Sequence, residues 1–167
     1  TGTVQFAGAL TVTDGTTLAL DAVTVDLDGD VTTNGGAVDI DVSGAVDLAT
    51  GRTLDTSGPT EGDAGGAVAI DASGTGTVNL VGDVVTAGAA SASDGVAAGA
   101  GGAVAITTAN GAINVAGIDT RGGAHTGSLV TDDGAVAGAI TLDANSDNTI
   151  TLLGGSLLAV GGTSANG

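Results

Sequence analysis

Three carboxylates fall within Asp26-Leu27-Asp28-Gly29-Asp30. Acidic residues alternating around a glycine turn form the kind of donor set a hard cation takes, because calcium gathers about six to eight oxygen ligands. The spacing departs from an EF-hand loop, which places its glycine later and ends on a distant glutamate, and no nonapeptide calcium repeat is present. The corner is therefore read first as a solvated acidic turn. A calcium site made by Asp26, Asp28 and Asp30 is the alternative, and calcium is the one cofactor the chain suggests. Asp132-Asp133-Gly134 and Glu61-Gly62-Asp63 repeat the theme with fewer donors.

Other reactive side chains are scarce. The only basic or imidazole groups are Arg52, Arg121 and His125, and there is no Lys or Cys. A polysaccharide lyase needs a base beside its acidic metal ligands, and glycan sites lean on aromatic platforms, whereas this chain holds a single Phe. A lone His in a glycine-rich loop is expected to face solvent. Paired Asp residues of glycosidase type are compatible with so many aspartates, so a polysaccharide-processing enzyme stays as the least favoured class. The expectation is a protein without catalysis.

Charge narrows the partners. Eighteen Asp and one Glu against two Arg give a formal charge of −17, which repels nucleic acid phosphates and anionic lipid headgroups. Nucleic acid is excluded as a partner, and no apolar run reaches membrane-spanning length. The same charge favours a saline or calcium-rich exterior that screens self-repulsion.

The elements that must carry these residues follow from an internal repeat. Ala37-Val38-Asp39-Ile40-Asp41, Ala67-Val68-Ala69-Ile70-Asp71, Ala103-Val104-Ala105-Ile106-Thr107 and Ala139-Ile140-Thr141-Leu142-Asp143 superimpose, each after glycine. Repetition at this period is the mark of a solenoid. Composition agrees, because Gly supplies 32 of 167 residues and the apolar content is almost all Ala, Val, Leu and Ile. Small β-branched and aliphatic side chains fill a narrow stacked core rather than a thick globular one. Disorder is set aside by the regular apolar alternation, which is a strand signal.

Each copy divides into three short strands. The second strands are 45–48, 77–80, 112–115 and 149–152, and the third are 54–56, 84–86, 118–120 and 158–160. An earlier, less regular copy runs through 18–20, 23–25 and 31–33, and Val4/Phe6 with Leu10/Val12 belong to a further turn. Glycines mark the corners: Gly44, Gly74 and Gly111, with Asn145, between first and second strands; Gly51, Gly82, Gly117 and Gly154/Gly155 between second and third. Length varies at the third corner, where Gly35-Gly36 suffices once and later copies carry about 57–66, 87–102 and 121–138. These loops are read first as passive decoration, with a partner-facing edge as the alternative. Parallel stacking would set Asp41 over Asp71 about 4.8 Å apart, so cations bridge them or one is displaced. Alternation points Thr33, Thr56, Thr86 and Thr120 inward, which argues against an ice-binding array of outward threonines. The predicted fold is all-β, a right-handed parallel β-helix with three strands per coil and about five to six coils, spanning 1–167 as a single segment of something longer.

The stretches Gly-Gly-Ala-Val-Ala-Ile-Thr-Thr-Ala-Asn-Gly-Ala-Ile-Asn-Val (101–115), Gly-Ile-Asp-Thr-Arg-Gly-Gly (117–123) and Gly-Ala-Ile-Thr-Leu-Asp-Ala (138–144) resemble the haemagglutinin-type repeats of filamentous-haemagglutinin-like bacterial exoproteins. The resemblance covers roughly 18–162 and implies an exported, right-handed β-helical shaft serving adhesion, aggregation or matrix building. The long third-corner loops depart from that pattern, as does the lack of the family's amino-terminal secretion domain. The expected role is a structural segment of an extracellular or cell-surface fibre. Its partners would be further coils or other copies of itself; receptor or glycan binding by the aligned loops is the alternative.

Overall fold

The structure is a computed structural model and describes residues 2–13, 15–128, 133–145 and 148–164. Among these residues there is no helix. The strands are β1 (Thr3–Phe6), β2 (Leu10–Thr11), β3 (Leu18–Ala22), β4 (Thr24–Leu27), β5 (Val31–Thr32), β6 (Val38–Val42), β7 (Val46–Leu48), β8 (Thr53–Asp55), β9 (Val68–Ala72), β10 (Val78–Val85), β11 (Val104–Thr108), β12 (Ile113–Asp119), β13 (Ile140–Ala144), β14 (Ile150–Leu152) and β15 (Leu157–Leu158). Their pairings are parallel throughout.

Two sheets result. One has five strands in the order β13-β11-β9-β6-β3, and the other has ten. In the first, Leu18, Val38, Val68, Val104 and Ile140 stand in register, as do Leu20, Ile40, Ile70, Ile106 and Leu142. Like therefore lies on like, as the sequence copies require. Parallel strands stacked in register, without an intervening helix, fit a β-solenoid, in which the remainder of each copy serves as the crossover.

The core is a column of small aliphatics. Val38, Ile40, Val42, Val46, Leu48 and Leu54 from one copy, and their equivalents in the next two, are almost wholly buried. Between them point Asp39 and Asp41 to solvent, because strand side chains alternate. Each first strand carries a third inward position, Val42, Ala72 or Thr108. The predicted strands stop one residue short of it.

Two corners differ from the sequence reading. Gly82 and Gly117 do not break the chain: β10 and β12 each run through second and third positions as one strand, with a register irregularity between Leu80 and Asp83. Glycine is needed at 82 for proximity, since a Cβ there would lie 2.1 Å from the Arg52 carbonyl oxygen below. Where the chain does turn sharply, Gly51 and Gly154 take positive φ, 71° and 91°. The last third strand is also displaced, for Ile118 pairs with Leu157 rather than Leu158. Adjacent leucines leave the register open to the sequence pattern, since either can take the inward place.

Candidate functional site

Asp26 and Asp28 flank the buried Leu27 on β4 and its exit, so both point away from the core on one face. Gln5 from β1 reaches over them, with Nε2 donating to Asp28 Oδ2 at 2.8 Å and to Asp26 Oδ2 at 3.5 Å. Asp30 is drawn elsewhere. Its Oδ1 accepts the Thr53 backbone N–H at 3.0 Å, holding the start of β8. The three candidates therefore share a strand and its exit without a common focus. Among the described residues, no group of three or more His, Cys, Asp or Glu side chains is placed to hold a metal ion.

The electrostatics of this corner are repulsive. Partial burial, then the neighbouring charges of Asp28 and Asp47, raise the Asp26 carboxyl above its ordinary value. Asp47 lies directly over Asp26 in register, and above it the column changes character to Asn79 and then Asn114. Asn79 Nδ2 donates to Asp47 Oδ1 at 2.9 Å, and Asn114 Nδ2 to Asn79 Oδ1 at 2.7 Å. This amide ladder is a polar feature the sequence reading missed. Its signal was present, because Asp47, Asn79 and Asn114 hold the same place in their copies.

On the opposite sheet, Asp41 stands in register with Asp71, as expected, and Asp21 extends the column below. A shallow groove runs along this edge past Val23, Ser43 and Ser73. Thr107 and Asp143 continue the column above Asp71. Of the lesser acidic motifs, Asp132 lies outside the described residues.

The basic groups are also placed. Arg121 grips Asp119 two residues away, with its NH2 nitrogen 2.5 Å from Oδ2 and Nε 2.9 Å from Oδ1. The guanidinium hydrogen bonds lower the Asp119 carboxyl below its ordinary value, and Asp119 raises Arg121 in return. His125 corrects an expectation: it is 1% exposed, not at the surface. The cause is that the loops stack. Ser91, His125 and Ser164 pair in parallel, Ser91 N–H donates to the Ala124 carbonyl and His125 N–H to that of Thr163. The Gly127 N–H donates to His125 Nδ1 at 3.2 Å, and a Cβ at 127 would strike the ring at 2.4 Å. Burying the imidazole thus requires a glycine over it.

Stacking gives the loops charge-assisted hydrogen bonds as well. The Glu61 carboxylate accepts the backbone N–H groups of Ala92 and Ser93, each at 2.5 Å, and the hydroxyls of Ser91 and Ser93, each at 3.0 Å. These donors lower its pKa from 4.5 to about 2. Because the folded value is depressed, this tie contributes in full above the ordinary carboxylate value and is lost as the pH falls through about 2. The four inward threonines, Thr33, Thr56, Thr86 and Thr120, are fully buried as the alternation required.

The chain matches no family model, no curated protein and no solved structure. No helix among the described residues is long and apolar enough to cross a membrane. The arrangement offers stacked faces, acidic columns and a stacked loop edge.

Proposed function

We propose that this chain is a non-catalytic structural segment of an extracellular or cell-surface fibre or adhesin shaft, related in style to filamentous-haemagglutinin-like exoproteins. In this reading it is a right-handed parallel β-helix of five to six coils, with a spacing or mechanical role. One observation carries the proposal. Ile113, Val115 and Ile118 are at most 1% exposed, whereas Ile150, Leu152 and Leu157, their partners in register, are 49%, 47% and 42% exposed. Each layer is completed by the next, and β13, β14 and β15 each pair on one side only. Unpaired parallel edges with apolar side chains are templates for further strands.

The partners proposed are therefore further coils of the same chain or another copy stacked head to tail, giving filaments for adhesion or biofilm matrix. The high negative charge supports a rod that resists lateral clumping in a saline exterior. Electron microscopy of the native material is the test. Rods of uniform width are expected; compact particles would overturn the proposal.

A second reading, a receptor- or glycan-binding module using the loop edge, is favoured by the in-register pairing of Ser91, His125 and Ser164. An ordered loop array presents a defined surface where mobile loops would not.

A further inference from the structure

The third corner varies most in length, yet its base is built the same way each time. Thr33, Thr56, Thr86 and Thr120 turn their hydroxyls inward and donate to the carbonyls of Gly36, Gly66, Gly102 and Gly138, at 2.6, 2.6 and 2.7 Å for the last three. The same glycines answer through their N–H groups, which donate to the carbonyls of the same threonines at 3.0, 2.7, 2.7 and 2.8 Å. These two hydrogen bonds bridge residues 3, 10, 16 and 18 apart in sequence without change of pattern. The glycines stack so closely that a Cβ on Gly66, Gly102 or Gly138 would lie within 2.1 Å of the carbonyl oxygen of the glycine beneath. A buried hydroxyl needs a partner, and here the partner is always the residue that reopens the core.

At their outer ends the loops are tied to one another. Glu61 of the first loop holds the N–H groups of Ala92 and Ser93 in the second. Asp94 of the second accepts the Ser128 N–H at 2.6 Å and its hydroxyl at 2.9 Å in the third. The sense is the same at both steps, carboxylate forward to the next loop's backbone. Charge-assisted bonds of this kind are the stronger ones.

We infer that the third corner is an insertion port: the threonine–glycine clasp seals the core at the base of each loop, and the loops form a layer of their own, joined from copy to copy by backbone hydrogen bonds such as Gly58 N–H to Ala87 and Ser91 N–H to Ala124 and latched at its outer ends by carboxylates. The core then closes whatever length of chain is inserted, and the loop layer opens without unfolding it. The port is where such a stack accepts new sequence, and it makes the loop edge a display surface independent of the shaft.

Hydrogen–deuterium exchange on the full chain tests this. In Glu61→Ala, the amides of Ala92 and Ser93 should exchange about tenfold faster or more, while those of Val104 and Ile106 keep their protection. Loss of protection at Val104 and Ile106 would overturn the inference by showing one folding unit, and unchanged exchange at Ala92 and Ser93 would overturn it by removing the latch. A second variant replaces residues 57–65 with Asn-Gly, copying the short corner at 34–35. It should keep its circular dichroism and the Val104 and Ile106 protection while Ala92 and Ser93 lose theirs; failure to fold would show that the core depends on the loop and would overturn the port.

Discussion

Asp26 shows how a residue that invites a functional reading is settled by its neighbours. Partial burial, and then the charges of Asp28 and Asp47 beside it, raise its pKa. A raised carboxyl pKa means that the ionised form costs stability above that value and that the cost fades as the pH falls through it. Asp26→Asn should therefore stabilise the chain at pH 7 by about 0.2–1 kcal/mol, the range of a cross-strand pair. The gain should vanish near pH 3. Urea unfolding at both pH values measures it. Calcium provides the control. Gln5 already donates to Asp28, and Asp30 serves Thr53, so the ion should leave the melting temperature of the parent and of Asp26→Asn equally unmoved; a rise in the parent alone would place calcium at the corner. The acidic motif was legible in the sequence because it is local. The fate of Asp30 was not, since the Thr53 N–H that takes it belongs to the following copy.

Strands were the most legible elements, because the core demands alternation and small aliphatics supply it. Val68/Ile70 and Val104/Ile106 face inward and lie in register. What alternation could not show is where one strand ends and the next begins when both are apolar. Gly82 and Gly117 looked like corners and lie within continuous strands, because glycine serves close approach as well as sharp turns. Nor could composition show that glycine-rich loops stack and bury His125, since the hydrogen bonds that order them come from backbone. Mutual burial of layers has a direct consequence at the element scale. Ile106 lies between Ile70 and Leu142 and is fully buried, so Ile106→Ala should cost about 2–5 kcal/mol. Leu142 has a strand neighbour on one side only and is partly buried. Leu142→Ala should cost clearly less in the same denaturant titration, and equal costs would argue against layer-by-layer burial.

For the whole molecule, repetition was legible as soon as the copies were aligned, and with it the all-β, parallel character. The order of the layers is what gives the stack its length, since each adds about 4.8 Å, and it leaves aliphatics such as Ile150 and Leu152 half exposed at the last strands. Everything from the threonine–glycine clasp to the proposed fibre role depends on like residues lying directly over like. Intramolecular disulfide trapping measures that stacking. The chain has no Cys, and Ala69, Ala105 and Thr141 are exposed and consecutive in one register. Neighbouring layers bring Cα atoms about 4.8 Å apart, within disulfide reach, while a two-layer step of about 9.6 Å is not. Ala69→Cys/Ala105→Cys should therefore cross-link within the monomer under mild oxidation, and Ala69→Cys/Thr141→Cys should not. Cross-linking of the second pair, or failure of the first in a folded chain, would contradict the stacked register.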